Sequence, residues 1–269
     1  MENTAQAGDQ VLLARDGAIV TATFNRPEAR NAMTWAMYQR LYEICEEVDA
    51  DDAVRVLVLK GAAGKDGAVK AFVAGTDISQ FTWFESGEDG LRYEREGDRR
   101  SGRIARVRKP VIAQIQGYAV GGGFAIAAGA DVRIATPDAR FGVPIARTLG
   151  NCLSMSAYAR FMDLLGSSRL KEMLFTARLL SADEALAAGF VHEIVPAERI
   201  ETRVREIAET LASHAPITLW VTKEAMRRIE ESRPLPDGDD LIAATYGSAD
   251  FREGVRAFME KRAPRWSGK

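Results

Sequence analysis

Residues 109–131 read KPVIAQIQGYAVGGGFAIAAGAD, and the glycine triplet Gly121-Gly122-Gly123 inside them governs how the chain folds around it. The apolar run 111–115 predicts a buried strand, and 124–128 predicts the start of an apolar helix. The triplet then lies at a strand-to-helix turn, where the first amide N–H groups lack partners and point out of the helix. Residues without side chains let a ligand oxygen approach that backbone closely. Tight packing of a helix on a sheet would need the same glycines, so the triplet alone leaves both readings open.

Working outward, residues 11–27 predict a β-hairpin, because apolar runs flank Arg15-Asp16-Gly17 and Asp-Gly is a strong turn signal. Helical spacing of Met33, Met37, Leu41, Ile44 and Val48 predicts a helix over 31–49. Residues 54–60 form a predicted strand ended by the loop GAAGKDG. The segment 71–77 (AFVAGTD) reads as a short strand entering a turn, and 78–84 (ISQFTWF) as the opening of the next helix. Strands are expected in VRIAT and ARFGV, and helices over 154–175 and 181–188. Interleaved strands and helices are an α/β signature. Beyond residue 197 the pattern is almost all helix, so we divide the chain into a disordered tail over 1–10, a core over 11–196 and a helical region over 197–269.

The 269 residues and 46% hydrophobic content suffice for one sizeable core. A net charge of −2, from 36 basic and 38 acidic residues, gives no global attraction to nucleic acid or anionic membrane. Two cysteines, Cys45 and Cys152, make no disulfide framework and fit a reduced cytoplasmic setting. We find no signal-like segment and no apolar run of the roughly 18 residues a membrane span requires. Only two histidines are present, His192 and His214, and neither has acidic or cysteine neighbours at metal-ligand spacing. No P-loop, dinucleotide fingerprint or serine-hydrolase elbow is found.

Six ordered segments carry a resemblance: NRPEARNAM (25–33), AFVAGTDI (71–78), KPVIAQIQGYAVGGG (109–123), ADVRIATPDARFGVP (130–144), SADEALAAGFVHEIV (181–195) and EGVRAFMEKRAPRW (253–266). Together they resemble the enoyl-CoA hydratase/isomerase, or crotonase, superfamily. The resemblance implies a spiral of repeated ββα units with a C-terminal helical region that builds a homotrimer or a dimer of trimers. It also implies an acyl-CoA thioester substrate, with coenzyme A as part of the substrate and no tightly bound cofactor. The thioester carbonyl would sit between the backbone N–H groups of Thr76 and Gly122. Such donors stabilise the charge that a thioester oxygen gains as an enolate or tetrahedral adduct forms. Coenzyme A would be held around Glu28, Ala29, Arg30, Ala71, Phe72 and Ala74. Phe258 and Lys261 match positions that reach the coenzyme from a neighbouring subunit.

The pattern breaks at the acid/base positions. Hydratases of this superfamily place one glutamate two residues after the triplet, where this chain has Ala125. The second follows the proline of an FG-x-PE motif, and here falls on Ile145 or, with one inserted residue, on Ala146. None of these side chains transfers a proton, so ordinary hydration is expected to be weak, and isomerisation, decarboxylation or thioester hydrolysis remain open. Arg147, Thr148, Asn151 and Cys152 are candidates to supply pocket chemistry, Arg147 by clamping a second carboxylate. Cys152 reads equally as a small buried hydrophobe, and Asp77 and Asp131 read as structural. The aromatic group Phe81, Trp83 and Phe84 would shape the acyl pocket or simply pack. Residues 91–110 hold seven arginines and one lysine, which could contact RNA. Interspersed acids favour a solvated, ion-paired helix instead. A non-catalytic CoA-thioester-binding protein is the alternative of a different class.

Overall fold

The computed structural model describes residues 10–269. The expected tail falls outside these residues except at Gln10, whose carbonyl accepts from the Asn25 N–H at 2.8 Å. Strands β1 (Val11–Asp16) and β2 (Ile19–Phe24) form the antiparallel hairpin, turning at Gly17 with φ 57°. They begin a six-stranded sheet in the order β1-β2-β3-β5-β7-β10, in which β3 is Val56–Gly61, β5 Val111–Ile115, β7 Val132–Ala135 and β10 Glu193–Ile194. A second sheet runs β4-β6-β8-β9, with β4 Ala71–Val73, β6 Tyr118–Val120, β8 Arg140–Gly142 and β9 Leu180–Ser181.

The chain alternates between the sheets. Strand β3 enters the first, β4 the second, and helix α2 (Gly87–Ala105) returns to β5; then β6 and α3 (Gly122–Gly129) lead to β7. Each turn of this spiral is therefore one ββα unit. Every residue of β5 is buried, as a parallel strand covered on both faces requires.

The first helix is shorter than its apolar spacing suggests. Helix α1 spans Trp35–Ala50, because Arg30 and Asn31 are left-handed (φ 53° and 56°) and Thr34 caps the helix by accepting from the Met37 N–H at 3.2 Å. Met33 keeps its place in the core but bridges to Thr76 as an extended residue. Residues 78–81 make only a 3-10 turn, capped by Asp77; the long helix α2 waits until the Ser86–Asp89 capping box. The helical stretch after residue 154 is two helices, α5 (Met155–Leu165) and α6 (Ser167–Thr176), separated at Gly166 with φ 75°. A one-turn helix, α4 (Ile145–Thr148), precedes them, and α7 (Ala182–Ala187) follows.

Of the C-terminal helices, α8 (Ile200–Ser213) covers the outer face of the six-stranded sheet, packing Ile200, Val204 and Ala208 on Val56, Val58 and Ile112. Helix α9 (Pro216–Glu231) has no buried residue. Helices α10 (Asp239–Tyr246) and α11 (Ala249–Met259) close a cluster of Phe81, Phe84, Leu91, Tyr246 and Phe251. Helix α2 is ion-paired as its composition suggests: its arginines and the two that follow meet Asp49, Glu96, Asp239 and Glu231 among others, and Arg108 lies over the Trp220 ring. It is not solvated all round, since Gly90, Leu91, Glu94 and Ile104 are buried.

Two expected outcomes follow from buried polar groups. Asn31 is 1% exposed; its side-chain oxygen accepts from the Arg26 N–H at 3.0 Å and its amide donates to the Ala71 carbonyl at 2.8 Å. Asn31→Ala strands these backbone groups and strains a left-handed residue, and should cost about 1–3 kcal/mol in denaturant unfolding. Burial raises the Glu94 carboxyl from 4.5 to about 8. A folded value above the unfolded one gives stability that is complete at low pH and lost as pH rises to 8. Unfolding free energy should therefore fall over that window, by at most about 1.4 kcal/mol per pH unit, and Glu94→Gln should flatten the fall.

Candidate active site

Parallel pairing of β4 with β6 brings two turns together at the strand ends. Gly121, at φ 56° and ψ −119°, caps α3, and a Cβ there would lie 3.6 Å from the Cα of Gly75. Gly75 itself is at φ 102°, beside the Val120 carbonyl. The amides on either side are consumed: Gly121 donates to Gly142 and Asp77 to Met33. No acceptor among the described residues takes the Thr76 or Gly122 N–H. Two unpaired amides thus flank one wall of a cavity of about 2070 Å³, with the positive end of α3 behind Gly122. That volume exceeds the roughly 300–1,000 Å³ of ordinary small-ligand sites and leaves room for a long ligand.

Hydroxyl groups crowd the same place. Tyr38 hydrogen-bonds the Thr76 hydroxyl at 2.9 Å, and the Tyr93 hydroxyl stands 3.4 Å from it. The Tyr38 oxygen also occupies the space that a side chain on Gly122 would need. Burial pushes the Tyr38 phenol up to about 12 and the Tyr93 phenol well above its usual value, so both remain neutral donors near neutrality. Trp35 and Phe81 pack against Tyr93 at ring-centroid distances of 5.2 and 5.0 Å, and Trp83 and Phe84 continue this aromatic wall.

Ala125 and Ile145 both line the cavity, whereas Ala146 and Arg147 are exposed outside its lining. Of the two candidate second positions, Ile145 is the one on the cavity wall, and Arg147 does not face the cavity as a carboxylate clamp would have to. Thr148 lines the wall, but its hydroxyl donates to the Pro144 carbonyl at 3.0 Å. Asn151 donates to the Tyr246 hydroxyl at 3.1 Å, and its side-chain oxygen is buried without a partner among the described residues. Burial raises Cys152 to about 11, so it is a thiol here. Asp77 caps its turn and pairs with Arg26 at 3.0 Å; Asp131 holds the Val111 N–H and Lys223.

Glu28, Ala29, Arg30 and Ala74 line the same cavity, and Arg30 lies 5.8 Å from the Tyr118 ring centre. Ala71 and Phe72 are fully buried one layer behind the wall, Phe72 edge-on to Phe24. Phe258, half exposed, and Lys261 also line this cavity.

Tyr38, Tyr93 and Glu94 on the cavity wall, with Tyr246 behind it, are polar residues that no motif of the sequence marks. A signal existed for Glu94: it is three residues from Leu91 and ten from Ile104, on the buried stripe of α2. Charge density along the helix masked it.

Comparison with known proteins shows the family. The family model described as enoyl-CoA hydratase/isomerase matches residues 14–269. A short-chain-enoyl-CoA hydratase of Clostridium acetobutylicum is 32% identical over 257 residues, covering 94% of this chain and 96% of the relative. Among solved structures, a methylmalonyl-CoA decarboxylase in complex with 2-nitronate-propionyl-CoA superposes with TM-score 0.86 at 25% identity, covering 97% of this chain and 99% of that one. An enoyl-CoA hydratase/carnithine racemase from Magnetospirillum magneticum gives TM-score 0.78 at 30% identity, covering 97% and 96%. The family model spans nearly the whole chain and the relatives match it end to end, so this protein belongs to the enoyl-CoA hydratase/isomerase family of acyl-CoA-processing enzymes.

Proposed function

We propose that the protein binds an acyl-CoA with its thioester oxygen between the Thr76 and Gly122 N–H groups and carries out a reaction through the thioester enolate. The observation that carries this reading is the meeting of two unpaired amides at a helix N-terminus on the wall of a large, aromatic-sided cavity. Each donor contributes roughly 3–4 kcal/mol where charge develops on the oxygen. Glu28, Ala29, Arg30 and Ala74, on the cavity wall, follow the coenzyme in this reading, and Phe258 and Lys261 lie on the same wall.

Ala125 and Ile145 present no carboxylate, so hydration is the family reaction this cavity supports least. Decarboxylation leaves the enolate as CO2 departs and then needs only its protonation, whereas isomerisation also needs a base to take the α-proton before one is returned at the γ-carbon; the likeness to a methylmalonyl-CoA decarboxylase supports the first direction. Thioester hydrolysis uses the same amides but adds the need to activate water. A homotrimer or dimer of trimers belongs to the same proposal, supported by exposed Ile217, Val221 and Ile229 on α9. A cytoplasmic setting is supported by two free thiols, although a relative in Dictyostelium discoideum is named as mitochondrial.

The second reading, a CoA-thioester-binding protein without turnover, is favoured by the aliphatic side chains at both glutamate positions. Calorimetry with CoA esters, followed by product analysis across saturated, β,γ-unsaturated and malonyl-type thioesters, separates the two: binding without any product selects the second. Crotonyl-CoA hydration should be at least ~10²-fold slower than in relatives carrying both glutamates, since general acid/base groups contribute about that much. A rate equal to theirs would overturn our reading of Ala125. Gly122→Ala drives a methyl into the Tyr38 hydroxyl and should lower turnover of the reacting thioester by ~10²–10³, read from steady-state kinetics.

A further inference from the structure

Glu94 is a carboxyl group without a cation. It lines the same cavity as Thr76, Gly122, Ala125 and Ile145, yet its residue is only 9% exposed. Its partners are neutral: the Tyr246 hydroxyl and, at 3.1 Å, the Ser154 N–H. The nearest charge acting on it is a like one, Asp98 on the next turn of α2, which itself accepts from the Ser154 hydroxyl at 2.6 Å. No lysine, arginine or histidine among the described residues forms an ion pair with it. Tyr38 from α1, Tyr93 beside it, Tyr158 from α5, Cys152 and Tyr246 from α10 make up the remaining titratable surroundings, and all five titrate above their usual values. Beyond Asp98 lies Arg160, whose charge acts on that aspartate. On its other flank Arg95 is paired with Asp239.

We propose that Glu94 is the acid/base group of this cavity, moving a proton to and from the acyl carbon next to the thioester carbonyl. The role rests on the enolate reading above. In the protonating direction the enolate C=C electron pair takes the carboxyl proton to form the C–H bond. The carbonyl re-forms between Thr76 and Gly122, and Glu94 is left as a carboxylate. In reverse, the carboxylate removes the α-proton and the C–H electrons become the enolate double bond. No other reactant is needed. Tyr246, buried behind the cavity lining, steadies the carboxyl while Asn151 donates to Tyr246, so hydrogen-bonded partners hold the proton-transfer group in place. A purely structural acceptor here would not need to ionise: glutamine could still accept from Ser154 and bond Tyr246. That difference makes the role testable.

The probe is butyryl-CoA in D2O, with loss of the α-proton signal followed by NMR across pH 5–9.5. The wild-type rate should rise with pH and level off through an inflection near 8, where burial places the Glu94 carboxyl. Glu94→Gln should exchange at least ~10²-fold more slowly with no inflection, while calorimetry shows butyryl-CoA binding unchanged. Glu94→Asp should recover part of the rate and keep an inflection. Tyr246→Phe removes a hydrogen bond to the charged form and should move the inflection to higher pH. This variant decides the matter even if Glu94→Gln does not fold. Wild-type exchange retained in Glu94→Gln, or an inflection unmoved in Tyr246→Phe, overturns the role of Glu94 alone. Butyryl-CoA binding to the wild type without exchange overturns the enolate reading and this role with it.

Discussion

The rest of the site depends on how closely the backbone ending β4 approaches the backbone opening α3. Gly121 nearly touches Gly75, and a side chain on Gly123 would run into the Val73 carbonyl. Strands β4 and β6 pair in parallel, so both turns emerge at the same end of the sheet. Their leftover amides must then point outward, because the sheet and helix have no acceptors left for them. An unpaired buried N–H is costly in most places. Here both amides open onto the cavity, which is where a helix N-terminus can accept an oxygen.

Around that fixed point, the nearby side chains are layered by polarity. Thr76 takes hydroxyl contacts from Tyr38 and Tyr93, and their rings join the cluster of Trp35, Phe81 and Phe84 that excludes water from one flank. Excluding water strengthens every remaining dipole in the cavity. The same burial keeps the phenols and Cys152 protonated, leaving Glu94 as the carboxyl there whose ordinary charge state is in contest near neutrality. Glu94 also ties α2 to α10 through Tyr246, so the C-terminal helices are part of the cavity's construction as well as its cover.

Much of this was legible in the residues. The hairpin followed from Asp16-Gly17, the buried strand from an unbroken apolar run, and the strand-to-helix turn from the triplet. Local signals placed the start of an element less well than its end: the helix expected from residue 31 begins at Trp35, because Arg30 and Asn31 are left-handed and the Asn31 amide is tied to the distant Ala71 carbonyl. The exposure of Arg147 was likewise hidden, since a one-turn helix turns it outward while keeping Ile145 on the wall.

By itself the sequence determined the family, the spiral of ββα units, the strand-to-helix turn at the glycine triplet, and an alanine rather than a carboxylate at residue 125. Those are properties of spacing and residue type, which local backbone preference and apolar periodicity record directly. Only the tertiary structure decided that Ile145 and not Ala146 lies on the cavity wall, that Phe258 and Lys261 line that wall too, and that Glu94 faces it. Charge state and cavity membership depend on which distant elements exclude water from a side chain. In this protein α10 and the segment after Gly150, far from α2 along the chain, make that choice for Glu94.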